Sequence, residues 1–529
     1  MTPLLSIRGL HIDARRAGVA TPLLHGLDLD LHAGRCTGLV GESGSGKSLT
    51  ALALLGLLPP GLHARGVLQV EGADVPLGAA AHAALRGRTI AWVPQDPLAS
   101  LHPLRTVQSQ LVETLRSLRS LPASDARREA HALLDRVQLP DAGAALRKRP
   151  HEFSGGQRQR IAIALALACA PRVLIADEPT SALDARIARD ILDLLDALRR
   201  EDGLALLLIS HDLPLVGAYA QQVCVLQRGV VVEHGDTTRV FAAPAHAYTR
   251  ALLDADLAGD APPIATDAPV ALQADALRVT YPRAPRPALD DVALTLHRGQ
   301  ALALVGESGS GKSTLGRVLL RLLHGAQGRV QLVEADGSTL DFTALDGRAL
   351  RAARARIGIV FQDPYASLDP RLTVADIVSE PLRIHGIGTA AERHARAERL
   401  MLDVGLDATM LQRRPHEFSG GQRQRIAIAR ALATDPALLV CDEAVSALDA
   451  HHRGAILALL ARLKRERGLA VLFVTHDLHA ARVLCERIAV LEHGRIVEQG
   501  ATAQVLAAPA HAHTRALVDA RPRAHAASA

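Results

Sequence analysis

Two eight-residue stretches, Gly41–Ser48 and Gly306–Ser313, both read GESGSGKS. Glycines at these spacings let a backbone curl until several N–H groups face inward. The Lys-Ser pair that follows adds a cation and a hydroxyl. This is chemistry for holding phosphates and a divalent cation. The candidates in the first copy are Gly41, Ser43, Gly44, Gly46, Lys47 and Ser48. In the second they are Gly306, Ser308, Gly309, Gly311, Lys312 and Ser313, with Thr314 just beyond. Lys47 and Lys312 would reach the outer phosphates, and Ser48 and Ser313 would place hydroxyls on Mg²⁺. A Gly/Ser-rich turn with a chance lysine could look like this once. Two copies at matching positions leave that reading little room.

Two carboxylate pairs have matching places downstream. Asp177-Glu178 and Asp442-Glu443 each close an apolar run. An Asp at a strand end can hold Mg²⁺ through water, and the adjacent Glu can orient and deprotonate an attacking water. Such a pair is common by itself, but not behind a phosphate loop.

These residues need elements to carry them. Thr37–Val40 and Ala301–Val305 read as short strands before the Gly-rich loops, which open helices whose N-terminal dipoles favour anions. Val173–Ala176 and Leu438–Cys441 are continuous apolar runs ending in Asp-Glu; Leu204–Ser210 and Ala470–Thr475 are runs ending in His-Asp. Fully apolar runs alternating with helical stretches predict a mostly parallel sheet covered on both faces, with chemistry at the carboxyl ends of its strands.

The pattern occurs twice. GESGSGKS at 41 and 306 and HEFSGGQRQRIAIA at 151 and 416 are each displaced by 265 positions. A repeat of that size is a duplicated domain, and a single core rarely grows past about 250–300 residues. Domains are expected at 4–253 and 272–517, with a Pro/Ala/Asp/Gly-rich linker at 254–271 and a loose tail at 518–529.

Composition fits a globular protein, with 48% apolar and 22% charged residues. Aromatics are only 2%, so Leu, Val, Ile and Ala must build the core. The net charge of +5 reads as Arg-rich composition rather than a nucleic-acid surface, because basic clusters interleaved with aromatics are missing. The five cysteines are scattered, with no metal-ligand spacing or disulfide framework. The N-terminus lacks a basic region followed by a long apolar one. No apolar run approaches the roughly 18–20 residues that span a bilayer. The chain is therefore expected in the cytosol, and any pore must come from other subunits.

Ser154-Gly155-Gly156-Gln157 and Ser419-Gly420-Gly421-Gln422 resemble the signature motif of the ABC transporter ATPases, with Phe in place of the more usual Leu before the Ser. The resemblance covers nearly the whole chain, twice. It implies an α/β fold of two tandem P-loop NTPase (ABC ATPase) domains. Each would have a RecA-like parallel-sheet core, an N-terminal antiparallel β subdomain and an inserted helical subdomain. It makes Gln95 and Gln362 the Q-loop glutamines, near Mg²⁺. Ser181–Asp184 and Ser446–Asp449 become D-loops. His211 and His476, each 33 residues after its Glu, become switch histidines beside the catalytic Glu178 and Glu443. It also implies a head-to-tail sandwich. Lys47, Ser48, Gln95, Asp177, Glu178 and His211 would be closed by Ser419, Gly421 and Gln422. Lys312, Ser313, Gln362, Asp442, Glu443 and His476 would be closed by Ser154, Gly156 and Gln157. Neither set shows a lesion, so two hydrolytic sites are expected. One asymmetry stands out: Tyr281 is placed to stack adenine in the second copy, where the first has Ala14.

The segments at 95–103 and 362–370 look like the Q-loop extension of the dipeptide, oligopeptide and nickel importer subfamily. Pro244–Leu252 and Pro509–Arg515 look like its C-terminal segment, with His513 in place of Tyr248. That resemblance implies ATP and Mg²⁺ as ligands. The implied partners are two transmembrane permeases and a substrate-binding protein, at the cytoplasmic face of the inner membrane. Some members carry a C-terminal cysteine cluster for an iron–sulfur centre; here none is expected. Nucleic acid is not an expected partner. The competing reading is a soluble tandem ABC protein acting on ribosomes or DNA. The short connector without a long charged helical arm, and the absence of zinc-type Cys pairs, weigh against it.

Overall fold

A computed structural model describes residues 2–16, 19–181, 183–255, 261, 268–282, 284, 286–334, 336–445 and 450–520. The chain divides into two compact units, one over Met1–Asp256 and the other over Leu257–Ala520.

The first unit starts with long amphipathic strands and no Gly-rich interruption. β1 (Leu5–Arg16) and β2 (Val19–Leu31) form an antiparallel pair, and β3 (Cys36–Val40) follows. β4 (Leu62–Val70) and β5 (Ala73–Val75) complete a four-stranded sheet in the order β2-β1-β4-β5. The second sheet takes β6 (Ile90–Val93), β7 (Val173–Asp177), β8 (Ala205–Ser210), β9 (Gln222–Gln227) and β10 (Val230–Asp236). Its order is β10-β9-β3-β8-β7-β6, parallel except for β10.

The apolar runs are explained by burial on both faces. In β8, Leu206 and Leu208 pack into one cluster with Leu111, Leu115, Leu134 and Ile161. Ala205, Leu207 and Ile209 pack into another with Ile7, Leu10, Leu27 and Leu54. Successive side chains of one strand thus face the helical insert and the antiparallel sheet in turn, so neither position tolerates a polar residue. The insert lies between β6 and β7 and includes the helices Val107–Arg119, Ala123–Arg136 and Gly155–Leu167.

The second unit repeats the scheme. β11 (Val270–Val279), β12 (Leu289–His297), β14 (Gln327–Val333) and β15 (Thr339–Asp341) form its antiparallel sheet. β13 (Ala301–Val305), β16 (Ile357–Val360), β17 (Leu438–Asp442), β18 (Ala470–Val474), β19 (Arg487–Glu492) and β20 (Arg495–Ala501) form the other, in the order β16-β17-β18-β13-β19-β20.

Several edges differ from the sequence reading. The helix Ala247–Ala255 runs two residues into the expected linker, and β11 begins inside it at Val270. The helix Ala512–Asp519 likewise enters the expected tail. The expected bounds rest on motifs, and motifs do not mark element ends. The rest of that linker, apart from Ala261 and residues 268–269, the second D-loop (446–449), Ala182 and the tail from 521 lie outside the described residues.

Candidate functional site

In each unit the Gly-rich loop joins the central strand to a helix. Gly46 and Gly311, at φ 111° and 110°, precede the helices Lys47–Leu55 and Lys312–Leu319, and neither helix has a side-chain cap. Some other helices are capped, by side-chain oxygens of Ser154, Asp184, Asp212 and Asp236, while Ala123–Arg136 and Gly347–Arg354 also lack a side-chain cap. An uncapped N-terminus leaves amide donors and the positive end of the dipole for an anion. The loops have no space for a larger residue at the first glycine. A Cβ on Gly41 would come within 2.1 Å of the Leu226 carbonyl oxygen, and one on Gly306 within 2.2 Å of that of Leu491. Gly44 and Gly309 also lie at positive φ.

The lysines fold back over their loops. Lys47 Nζ donates to the carbonyls of Gly41 and Glu42, both at 2.8 Å. Lys312 Nζ donates to those of Gly306 and Glu307 at 2.7 and 2.8 Å. Both lysines are buried, a position from which a flexible chain can exchange carbonyls for phosphate oxygens. Ser48 Oγ donates to Asp177 Oδ1 at 3.2 Å, and Ser313 Oγ to Asp442 Oδ1 at 3.5 Å. Hydroxyl and carboxylate oxygens brought together this way suit Mg²⁺, a hard cation that prefers a few protein oxygens plus water. Burial pushes both Asp177 and Asp442 above the usual carboxylate range, with the charge of the neighbouring glutamate pushing the same way. A bound cation would relieve that cost.

The glutamates are placed by backbone as well as side chain. The N–H groups of Glu178 and Glu443 extend the parallel ladder, donating to Ile209 and Val474 carbonyls at 2.9 Å. Both residues sit in the left-handed region at φ 46° and 48°, a conformation that costs a non-glycine residue about 1 kcal/mol or more. The carboxylates then meet two partners. Gln95 Nε2 donates to Glu178 Oε2 at 2.9 Å, and Gln362 Nε2 to Glu443 Oε2 at 2.8 Å. His211 Nδ1 lies 3.1 Å from Glu178 Oε1, and His476 Nδ1 lies 3.5 Å from Glu443 Oε1. Burial raises Glu443, but the hydrogen bond and charge of His476 and the charge of Lys312 outweigh it and leave the carboxyl low. Each histidine is fixed between a strand end and a capped helix. Asp212 N–H donates to Ser210 Oγ, and Asp477 N–H to Thr475 Oγ1.

The structure therefore gathers lysine, serine, aspartate, glutamate, glutamine and histidine at one end of each parallel sheet. The signature residues are held elsewhere in their unit, at the N-termini of the helices Gly155–Leu167 and Gly420–Ala431. Ser154 and Gln157 cap each other reciprocally, as do Ser419 and Gln422. A Cβ on Gly156 would meet Ile187 Cγ2 at 2.5 Å, and one on Gly421 would meet His452 Cδ2 at 2.4 Å.

Tyr281 lies just past β11, 37% exposed, its hydroxyl 3.3 Å from Thr314 Oγ1. The first unit lacks both members of this pair, with Ala14 and Leu49 at the matching places. There β1 continues through Ala14 as strand, paired with Thr21 and Leu62. A contact that the motifs did not single out links the C-terminal segment to the first loop: the Glu42 N–H donates to Tyr248 Oη at 2.9 Å. Its only signal in sequence was the paired PAHA segments.

Two stretches of the chain, 24–181 and 289–446, match the family model described as ABC transporter. Residues 232–267 and 497–529 match the one described as oligopeptide/dipeptide transporter, C-terminal region. The chain is 40% identical to the peptidoglycan transport ATP-binding protein YejF of Agrobacterium fabrum, over 98% of this chain and 96% of that one. It is 42% identical to the uncharacterized ABC transporter ATP-binding protein YejF of Escherichia coli K12, over 97% and 99%. With the glutathione import ATP-binding protein GsiA of Salmonella typhimurium it shares 40% identity over 98% and 89%. Among solved structures, a dimeric ATP-binding cassette in a post-hydrolysis state bound to ADP and Pi aligns with 44% of this chain and 98% of its own, at 33% identity and a TM-score of 0.40.

Proposed function

This chain belongs to the ABC transporter family of ATP-binding proteins, and from that premise we propose that it is the ATP-hydrolysing subunit of an importer for peptides or a related small solute such as glutathione. The observation that carries the motor reading is the doubled site: two uncapped loop helices, each with a buried lysine and a glutamate held by glutamine and histidine. What supports import is full-length similarity to ATP-binding proteins of peptidoglycan and glutathione transport, together with both C-terminal transporter segments.

The working units are cassettes at 4–253 and 272–517. In each, the loop amides and Lys47 or Lys312 bind the phosphates, and the fixed donors stabilise charge as it develops on them. Ser48, Asp177 and Gln95, and likewise Ser313, Asp442 and Gln362, would hold Mg²⁺, which supplies charge neutralisation on the phosphate oxygens. Glu178 and Glu443 orient the attacking water and accept its proton. Gln95 and Gln362 share that carboxylate, which ties catalysis to the inserted helices, and His211 and His476 hold its other oxygen. Ser154, Gly156 and Gln157, and likewise Ser419, Gly421 and Gln422, each set at a helix N-terminus of its own unit, are further nucleotide-binding residues in this reading. ATP binding and hydrolysis then shift the pair between two states. The permeases and a substrate-binding protein supply the pore and the choice of cargo, and the chain acts at the cytoplasmic face of the membrane through them. No helix among the described residues is long and apolar enough to cross a membrane.

Uptake of labelled peptides and glutathione in a deletion strain tests this reading. Restoration by the intact chain, but not by Glu178→Gln or Glu443→Gln, is the expected result. Undiminished uptake of every candidate solute in the deletion strain, with the protein sedimenting on ribosomes and free of permeases, would overturn it.

A further inference from the structure

Each unit ends in a short segment, Pro244–Ala255 and Pro509–Asp519, that the hydrolytic reading leaves without a task. Its anchoring is the same in both. Glu233 on β10 accepts the N–H groups of Ala245 and His246 at 2.8 and 3.1 Å, and Glu498 on β20 accepts those of Ala510 and His511 at 2.9 and 3.0 Å. His246 Nδ1 and His511 Nδ1 then each accept the N–H two residues on, at 3.2 Å. These bonds fix the backbone at that position, which carries Tyr248 in one unit and His513 in the other.

The two tips end differently. In the first unit the buried Tyr248 hydroxyl accepts the N–H of Glu42, the second residue of the loop. The carbonyl of the same residue accepts from Lys47. Glu42 is thus held from both sides, and only one of those holds belongs to a group that must leave for the phosphates. In the second unit His513 turns its Nδ1 to Glu492 Oε1 at 3.1 Å. Its Nε2 is buried without a hydrogen-bond partner, and the side chain is 9% exposed. Glu492 ends β19, and the residue ending β9 at the matching place is Gln227. Tyr248 with Gln227 in the first unit thus corresponds to His513 with Glu492 in the second. Both strand ends touch their loops directly, since Gly229 N–H donates to the Ser45 carbonyl and Gly494 N–H to that of Ser310, each at 2.9 Å.

We propose that the C-terminal segment of the first cassette is a clamp on its phosphate loop, with Tyr248 as the positioning residue that keeps the Glu42 peptide in place when Lys47 moves to the phosphates. The clamp is absent from the second cassette, where His513 bonds Glu492 instead. The segment thereby acquires a role in nucleotide affinity, and a partner bound to it would reach the first ATP site only. The inference rests on ATP binding at the loops as proposed above.

The test is equilibrium binding of a fluorescent ATP analogue to the full chain with one loop silenced, Lys312→Ala to leave the first site or Lys47→Ala to leave the second. Tyr248→Phe removes the hydroxyl and keeps the ring. In the Lys312→Ala chain it should raise Kd roughly two- to tenfold, the range of one hydrogen bond, without a change in Tm. In the Lys47→Ala chain it should leave Kd where it was. His513→Tyr with Glu492→Gln builds the clamp into the second site and should lower its Kd by a similar factor. An unchanged Kd at the first site, or equal weakening at both, would overturn the clamp. Failure of the unsubstituted chain to bind the analogue would instead remove the ATP reading, and the clamp with it.

Discussion

The two cassettes agree around the glutamates proposed as catalytic and differ where the nucleotide is proposed to be gripped. The glutamine-to-glutamate bond is 2.9 Å in one and 2.8 Å in the other, and both glutamates share the same left-handed backbone. Around that shared centre, Tyr281 and Thr314 of the second unit correspond in sequence to Ala14 and Leu49 of the first, and His513 and Glu492 to Tyr248 and Gln227. The differences pull in opposite directions. The first site has the proposed loop clamp and no counterpart of Tyr281; the second has Tyr281, the proposed stacking ring, and His513 in place of Tyr248. Stacking on an aromatic contributes roughly 1–3 kcal/mol, and one neutral hydrogen bond about 0.5–1.5 kcal/mol net. The ring should win, so the second site is expected to bind ATP more tightly.

The sharpest way to break the agreement is to remove one of the carboxylates proposed as catalytic. Glu178→Gln and Glu443→Gln should each lower ATPase turnover of the assembled transporter by roughly a hundredfold, the scale of a lost general base. Turnover that survived either change would mark that cassette as non-catalytic. The adenine difference is the next largest. Tyr281→Ala should weaken analogue binding at the second site by roughly tenfold, within the stacking range. Ala14→Tyr with Leu49→Thr should strengthen the first by less, because β1 continues as strand there and would have to open before the ring could reach a base.

How much of this was legible in sequence differs from residue to residue. Lys47, Asp177 and Glu178 could be placed because a glycine-rich loop and an apolar strand leave few alternatives. The alternation of β8 between two clusters explains why that strand reads as an unbroken apolar run. The positive φ of Glu178 was not legible, since no glycine or asparagine marks it. The bond from Glu42 to Tyr248 joins residues 206 positions apart through a fold that local pattern does not encode. The linker was expected from residue 254, whereas the helix Ala247–Ala255 runs to 255, where no motif marks its end.

A smaller comparison concerns the signature glycines. Gly156→Ala would press on Ile187 and Gly421→Ala on His452. Each should destabilise its own unit by about 1–3 kcal/mol in denaturant unfolding, the usual cost of overpacking. Equal, negligible effects would show that the helix start can give way. The smallest expected effect is on pH dependence. Asp177 is raised by burial, so its charged form costs stability at neutral pH, and that cost vanishes as pH falls below the ordinary carboxylate range and the group is protonated in both states. Asp177→Asn without Mg²⁺ should therefore raise Tm by a few degrees at pH 7 and by nothing at low pH. Asp442→Asn should behave alike, because burial raises that group too. Glu443 has the opposite sign. Held low by His476 and Lys312, it contributes stability above the ordinary glutamate range that is lost as pH falls through its folded value.

The most direct test of unequal binding at two intact sites is one titration. The Glu178→Gln/Glu443→Gln chain, expected to consume ligand only slowly, is titrated with the fluorescent ATP analogue in the presence of Mg²⁺. Two sites per chain are predicted, separated by roughly fivefold or more in Kd, the equivalent of about 1 kcal/mol. Adding Tyr281→Ala should abolish the tighter phase. A single class of two identical sites, or a tighter phase indifferent to Tyr281, would contradict the account.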